Sequence, residues 1–120
     1  MSGLAPRLHE GIYAFVCVPE ATPTTGLGVV ATVREAEGRT LVLPVAVAEA
    51  QGFEVLWRSR WITLELPTGL SMVGLTARFA AALAEDGVPC NVFAGAHHDH
   101  VFVPEPDGPR AQALLAALSV

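Results

Sequence analysis

The chain's densest chemistry lies in His97-His98-Asp99-His100, which holds three of its four histidines. On an extended strand His98 and His100 share one face, and His97 and Asp99 point to the other. A His-x-His pair on one face is a legitimate start for a zinc site. Completing it needs a third ligand from elsewhere, and the remaining options are His9 or remote carboxylates such as Glu65. The simpler reading is a hydrogen-bonded turn in which Asp99 orients neighbouring imidazoles or backbone. On that reading no metal is expected, and the cluster frames a binding site whose affinity follows histidine titration. A nucleophilic triad is weaker still, because Ser71 stands outside any Gly-x-Ser-x-Gly elbow. Cys17 and Cys90 are far apart, each inside an apolar run, and read as buried structural thiols.

A second candidate is Thr68-Gly-Leu-Ser-Met-Val-Gly-Leu75. Gly69 and Gly74 let backbone approach a ligand with no Cβ in the way. A helix beginning near Ser71 presents unpaired N–H groups and partial positive charge, which suits a carboxylate. Leu70, Met72 and Val73 supply apolar walls. The same residues also read as ordinary turn chemistry with Ser71 as the N-cap. Trp57 and Trp61, which flank Arg58 and Arg60, read either as a cation–π surface or as a crossing strand. The second, with Trp in the core and Arg in water, is the simpler.

These groups are positioned by elements that the pattern outlines. Ile12–Val18 is a strand stopped by Pro19, and residues 20–28 form a loop. Val29–Arg34 and Thr40–Leu43 form a hairpin, followed by a short helix over Val45–Gln51 closed by Gly52. Phe53–Ser59 is ambiguous. Trp61–Leu66 alternates as a strand, and Met72, Leu75, Phe79, Ala82 and Leu83 give a helix its apolar stripe. Val88–Ala94 and His98–Val103 make a second hairpin about Gly95. Asp107 then caps a last helix that buries Ala111, Leu114, Leu115 and Leu118. Strand, helix, hairpin, helix is most of a ferredoxin-like βαββαβ unit, and the first half reads as the same unit without its first helix. Leu41-Val-Leu-Pro44 even rhymes with Val101-Phe-Val-Pro104, which suggests an internal duplication. The second unit lacks its last strand, and Ile12–Val18 is the candidate to cover that open edge.

Composition narrows the function classes. The 120 residues are 52% hydrophobic and 16% charged, which excludes a disordered chain. A net charge of −5 makes nucleic acid and anionic membranes poor partners. There is no lysine, so Schiff-base and P-loop chemistry are excluded. The basic-aromatic strand motif of RNA-recognition domains is absent, and no Arg lies in residues 68–75 to bind a phosphate. No apolar run approaches the length of a membrane span and no secretory signal is evident, so the expectation is a cytoplasmic protein.

Ser71-Met-Val-Gly-Leu-Thr-Ala77, then Ala81-Ala-Leu-Ala-Glu-Asp-Gly87, Val88-Pro-Cys-Asn-Val92 and Ala96-His-His-Asp-His-Val-Phe-Val-Pro104, together resemble the ACT domain. The resemblance is to small stand-alone bacterial ACT proteins and, more distantly, to the ACT modules of CASTOR-type arginine sensors. It implies an α+β fold of two tandem ferredoxin-like units with antiparallel sheet and helices on one face. Residues 1–60 are then a degenerate unit lacking its first helix, and residues 61–120 an ACT domain lacking its final strand. It further implies a non-catalytic regulatory module, without cofactor, that binds an amino acid or related metabolite and acts as a homodimer. By position the implied ligand loop is Thr68, Gly69, Leu70, Ser71, Met72, Val73, Gly74 and Leu75, faced by Asn91 and Phe93. The expectation is a sensor acting on a regulated protein partner. The alternatives are a ligand-free interaction or oligomerisation module, and a metal-dependent enzyme built on His97, His98, Asp99 and His100.

Overall fold

A computed structural model describes residues 3–67 and 69–119. Along the chain run strands β1 (Pro6–Leu8), β2 (Tyr13–Val18), β3 (Ala31–Glu35) and β4 (Gly38–Pro44), helix α1 (Val45–Ala50) and strand β5 (Trp57–Leu64). Helix α2 (Leu75–Glu85), strands β6 (Asn91–Ala94) and β7 (Asp99–Pro104), a 3-10 turn (Glu105–Asp107) and helix α3 (Gly108–Ala116) follow. The chain packs as two units, Gly11–Ser59 and Met1–Glu10 with Arg60–Val120.

In the Gly11–Ser59 unit the strand order is β3-β4-β2-β5. β2 runs antiparallel to β4 from Tyr13↔Pro44 to Val18↔Arg39, and pairs with β5 from Tyr13↔Ser59 to Phe15↔Trp57. Period-two alternation sends Ala14, Val16 and Val18 inward onto Leu41, Leu43 and Ala48. The same alternation puts Cys17 outward and exposed, so the expectation of a buried thiol fails there. Where a first helix is missing, Leu27 and Val29 of the connecting loop pack against this core instead.

The other unit places β5 beside β7 and β7 beside β6, with β1 on the remaining side of β5. With Pro6–Leu8, which comes first in the chain, standing in the position of a fourth strand, the strand order is the same in both units. Leu41–Pro44 and Val101–Pro104 occupy the same third strand. Each ends on a proline at the start of a helical turn. The duplication read from the sequence is thus an architectural one.

Two readings change. The open edge is covered not by Ile12–Val18 but by Pro6–Leu8, in the register Pro6↔Leu64, Arg7↔Thr63 and Leu8↔Ile62. A three-residue strand beginning with proline is too short to display alternation, so no periodic signal announced it. Tyr13–Val18 is already committed to β4 and the start of β5. Likewise the ambiguous segment before Trp61 and the clear one after it are a single strand from Trp57 to Leu64.

The helix-facing side of this unit is its core. α2 buries Leu75, Phe79 and Leu83 at intervals of four, and α3 buries Ala111 and Leu115. They close on Leu4, Ile62, Leu64, Val88, Val101 and Val103. Each large side chain so buried stabilises the fold by about 1.5–3 kcal/mol. Cys90 and Val92 pack at the margin, and burial pushes the Cys90 thiol above its ordinary range. The tryptophan–arginine segment also departs from expectation. Trp57 and Trp61 are only half-buried, and Arg60 points to the helix side with Ile62 and Leu64. There it packs beneath Gly108, where a Cβ would lie 2.9 Å from Arg60 Cγ, and it donates to the His9 carbonyl at 3.2 Å.

Candidate functional site

The segment expected to bind a ligand is an exposed turn leading into α2. Its start differs from the sequence reading. Met72 N–H donates to the Gly69 carbonyl at 3.1 Å, so Ser71 lies inside a turn and does not cap the helix. The N-cap is Gly74, at φ 91°, a left-handed backbone that favours glycine. A glycine has no side chain to cap with, and no acidic residue lies in the first turn. The first N–H groups of α2 therefore lack side-chain partners and carry the positive end of the helix dipole. Starting the helix at Leu75 also takes Met72 off its buried stripe. Leu70, Met72 and Val73 stand 72%, 52% and 95% exposed.

A cleft of about 70 Å³ lies against this turn, lined by Gly69, Leu70, Met72, Leu75 and Thr76 on one side and Ala94, Gly95 and Asp99 on the other. An open groove of about 310 Å³ adjoins it along Met72, Val73, Gly74, Leu75 and Arg78. Thr68 lies outside the described residues, and Ser71 is exposed without lining either space. The expected facing pair is displaced. Asn91 is exposed at the far end of β6, opposite Phe102, while Phe93 packs edge-on against Phe102 at 5.7 Å. The hairpin register Ala94↔Asp99 brings the other end of β6 to the cleft. Gly95 is required there, because a Cβ would lie 2.9 Å from the His98 carbonyl oxygen and 3.3 Å from His100 Nε2. Thr76 and Ala94 line the cleft because α2 starts at Leu75, later than the Ser71 signal implies, and because the hairpin meets the cleft at the Ala94↔Asp99 end of β6.

Asp99 and the histidines part company. Asp99 turns inward with Val101 and Val103 and is 8% exposed. It therefore does not orient His98 or His100 by side-chain hydrogen bonds. His97 is exposed at the turn, and His98 is half-buried, with its Nδ1 buried and unpartnered among the described residues. His100 belongs to a polar cluster that the sequence gave no sign of. His9 Nε2 lies 2.7 Å from Thr63 Oγ1, and Thr63 Oγ1 lies 3.1 Å from His100 Nδ1. Trp61 Nε1–H donates to the same Nδ1 at 3.1 Å, and the His9 and Trp61 rings stack at 3.5 Å. An indole N–H can only donate, so His100 Nδ1 accepts and its proton sits on Nε2. The Thr63 hydroxyl is then a second donor sharing that one lone pair, and it accepts from His9.

Burial holds both imidazoles below their ordinary value, with Arg7 adding for His9 and His98 for His100. Beside them a hydrogen bond from Arg7 holds the exposed Glu65 carboxyl low. Among the described residues no three His, Cys, Asp or Glu side chains gather as a metal-binding set. Nor is any helix long and apolar enough to cross a membrane.

The arrangement is thus two βαββαβ-type units, one with a small cleft at an uncapped helix start. Models of the ACT domain match residues 1–60 and 58–117. The chain belongs to the ACT domain family, with two such units in tandem. Among solved structures it is similar to a Vibrio cholerae protein of unknown function described as a possible transport protein. The two share 39% identity over 98% of this chain and 91% of that one, with a TM-score of 0.91. An Agrobacterium tumefaciens protein follows at 20% identity, over 97% and 89% of the two chains and with a TM-score of 0.74. The regulatory subunit of aspartate kinase from Thermus flavus shares the fold at 12% identity, over 95% of each chain, with a TM-score of 0.60. No curated protein sequence matches the chain.

Proposed function

We propose that this protein is a non-catalytic regulatory module that holds an amino acid or related small metabolite in the cleft at the start of α2. On this reading it works in the cytoplasm as a homodimer and acts on a protein partner. The observation that carries the reading is the cleft itself, set between an uncapped helix N-terminus and the β6–β7 turn of an ACT unit. Backbone N–H groups there suit a ligand carboxylate, and Gly69 and Gly95 let a small molecule approach the main chain. The similarity in fold to an aspartate kinase regulatory subunit is in keeping with it.

Thermal-shift screening against the twenty common L-amino acids tests the proposal. A ligand at 100 times its Kd adds about 2.7 kcal/mol to stability. That is a rise of several degrees in a chain of this size. Absence of any shift at millimolar ligand sinks the reading. One observation favours a second one, a ligand-free interaction module: Leu70, Met72 and Val73 form an exposed apolar tip on the same turn. Concentration-dependent assembly with no response to any amino acid decides for it.

A further inference from the structure

Residues 6–10 lie along β5 between two unusual backbone points. Ala5 sits at φ 50°, a left-handed conformation that disfavours a residue with a Cβ. Exposed Gly11 sits at φ 90° with open space about it. The segment between them is lightly attached. β1 is three residues long and begins with a proline, which has no N–H to give the ladder. Fully buried Leu4 lies before Ala5, outside the segment, while Leu8 packs only at the margin of the core. The Arg7–Glu65 ion pair is exposed, and Gln112 and Arg60 give one hydrogen bond each, to the Pro6 and His9 carbonyls. The far end is fixed by His9. Its N–H donates to the Trp61 carbonyl at 2.9 Å, its ring stacks on Trp61, and its Nε2–H donates to Thr63.

Both side chains that His9 grips converge on His100 Nδ1, Trp61 through its indole N–H and Thr63 through its hydroxyl. With a proton already on Nε2, Nδ1 is the ring's only basic atom, so a further proton has to enter there. The Thr63 hydroxyl can then reverse and accept, because its oxygen has two lone pairs. The indole N–H can only donate, and it would face a second N–H bearing positive charge. Trp61 must therefore turn from His100, and the ring stacked on Trp61 is His9. His9 takes its own proton at Nδ1, away from its bond to Thr63, so charging His9 leaves that bond in place. The charged and titratable groups facing His100 are Arg7 and His9 on β1, Glu65 just after β5, and His98 and Asp99 beside it in the chain. β6 pairs with it through Phe93 and carries no titratable group. Burial, His98 and Arg7 oppose a charge on His100, while Asp99 and Glu65 favour it, and the balance lies with burial.

We propose that residues 6–10 form a flap that uncharged His100 latches onto β5 and that protonation of His100 releases. Ala5 and Gly11 are its hinges, and Leu4 stays seated in the core when it lifts. Release frees the edge of β5 at Ile62–Leu64 that Pro6–Leu8 now pairs. Such opening is local, because α2 and α3 rest on core side chains that the flap does not supply. The device does not depend on what the cleft at the start of α2 binds.

Hydrogen exchange of the full chain between pH 7.5 and 4.5, with exchange times scaled for the intrinsic pH dependence, tests the proposal. The histidine rings are titrated in parallel by nuclear magnetic resonance. In the parent, amides of residues 6–10 are expected to lose protection about tenfold or more on acidification while those of α2 do not. The midpoint should coincide with the titration of His100 and lie below pH 6.5. His100→Asn places an amide oxygen near the position of Nδ1 and cannot titrate, so its flap should stay protected throughout. His9→Gln keeps a donor for Thr63 and removes the other titrating ring of the cluster, so its flap should still open in acid. Flap protection that ignores pH, or a loss shared equally by α2, overturns the proposal. So does a midpoint that follows His9 instead of His100, or acid opening undiminished in His100→Asn. Should His100→Asn fail to fold, the midpoints in the parent and in His9→Gln decide the matter.

Discussion

Replacing Thr63 by valine isolates the polar cluster of β1, β5 and β7 with almost no change of shape. Thr63 is 3% exposed, and its hydroxyl bridges His9 Nε2 at 2.7 Å and His100 Nδ1 at 3.1 Å. The substitution removes both hydrogen bonds, and each is worth about 0.5–1.5 kcal/mol net. His100 Nδ1 keeps its bond from Trp61, and half-buried His9 regains some contact with water, so the lower part of that range applies. The preference of valine for strands returns a few tenths of a kcal/mol, roughly. The expected loss is about 1–2 kcal/mol, or a melting temperature lower by about 3–8 °C. Urea unfolding at pH 7.5, followed by circular dichroism, measures it at constant m-value. The near-ultraviolet signal of Trp61 should survive, because its stacking on His9 and its bond to His100 do not involve the hydroxyl. A loss below about 0.3 kcal/mol would refute the bridging role of Thr63.

Three further outcomes are expected. His9 and His100 have pKa values lowered by burial, so the folded state binds fewer protons than the unfolded chain below about pH 6.5. Stability should be flat above that pH, fall as pH drops from about 6.5 toward the depressed values, by at most about 1.4 kcal/mol per pH unit per histidine, and level off below them. Denaturant midpoints from pH 8 to 5 check this, and a midpoint that rises on acidification contradicts the cluster as described. Phe79→Ala, at a fully buried position between Leu75 and Leu83 on α2, should cost about 3–5 kcal/mol in equilibrium unfolding, and a cost under 1 would mean that α2 is not seated on this core. A thiol reagent at pH 8 should modify exposed Cys17 rapidly and Cys90 slowly, since burial raises the Cys90 thiol, and two equally fast thiols would contradict that packing.

The periodic parts of the chain told their own story. Leu75, Phe79 and Leu83 announce a helix face, Ala14, Val16 and Val18 a strand face, and both do what they announce. The paired strand-to-proline segments made the tandem ACT arrangement readable, because the same third strand was written twice. The loop after β5 was legible as a ligand candidate from its glycines and the helix behind it. Its exact wall was not, since a helix start fixed by the backbone of Gly74 competes locally with a serine that could have capped it.

What the sequence determined alone was therefore the set of elements whose buried faces repeat, together with a net charge of −5 from which weak attraction to nucleic acid and anionic surfaces is expected. What only the tertiary structure decided were pairings between residues far apart in the chain. Pro6–Leu8 is a strand solely because Ile62–Leu64 offers it an edge, and His9 meets Thr63 and His100 solely through that pairing. Asp99, likewise, reads in the sequence as one of a run of polar neighbours. Its partners on either side face one side of the sheet, and Asp99 faces a cleft that exists only once α2 and the β6–β7 turn have come together. Local patterning reports the face on which a residue lies, but not what lies opposite it; that comes from burial and hydrogen bonding across the fold.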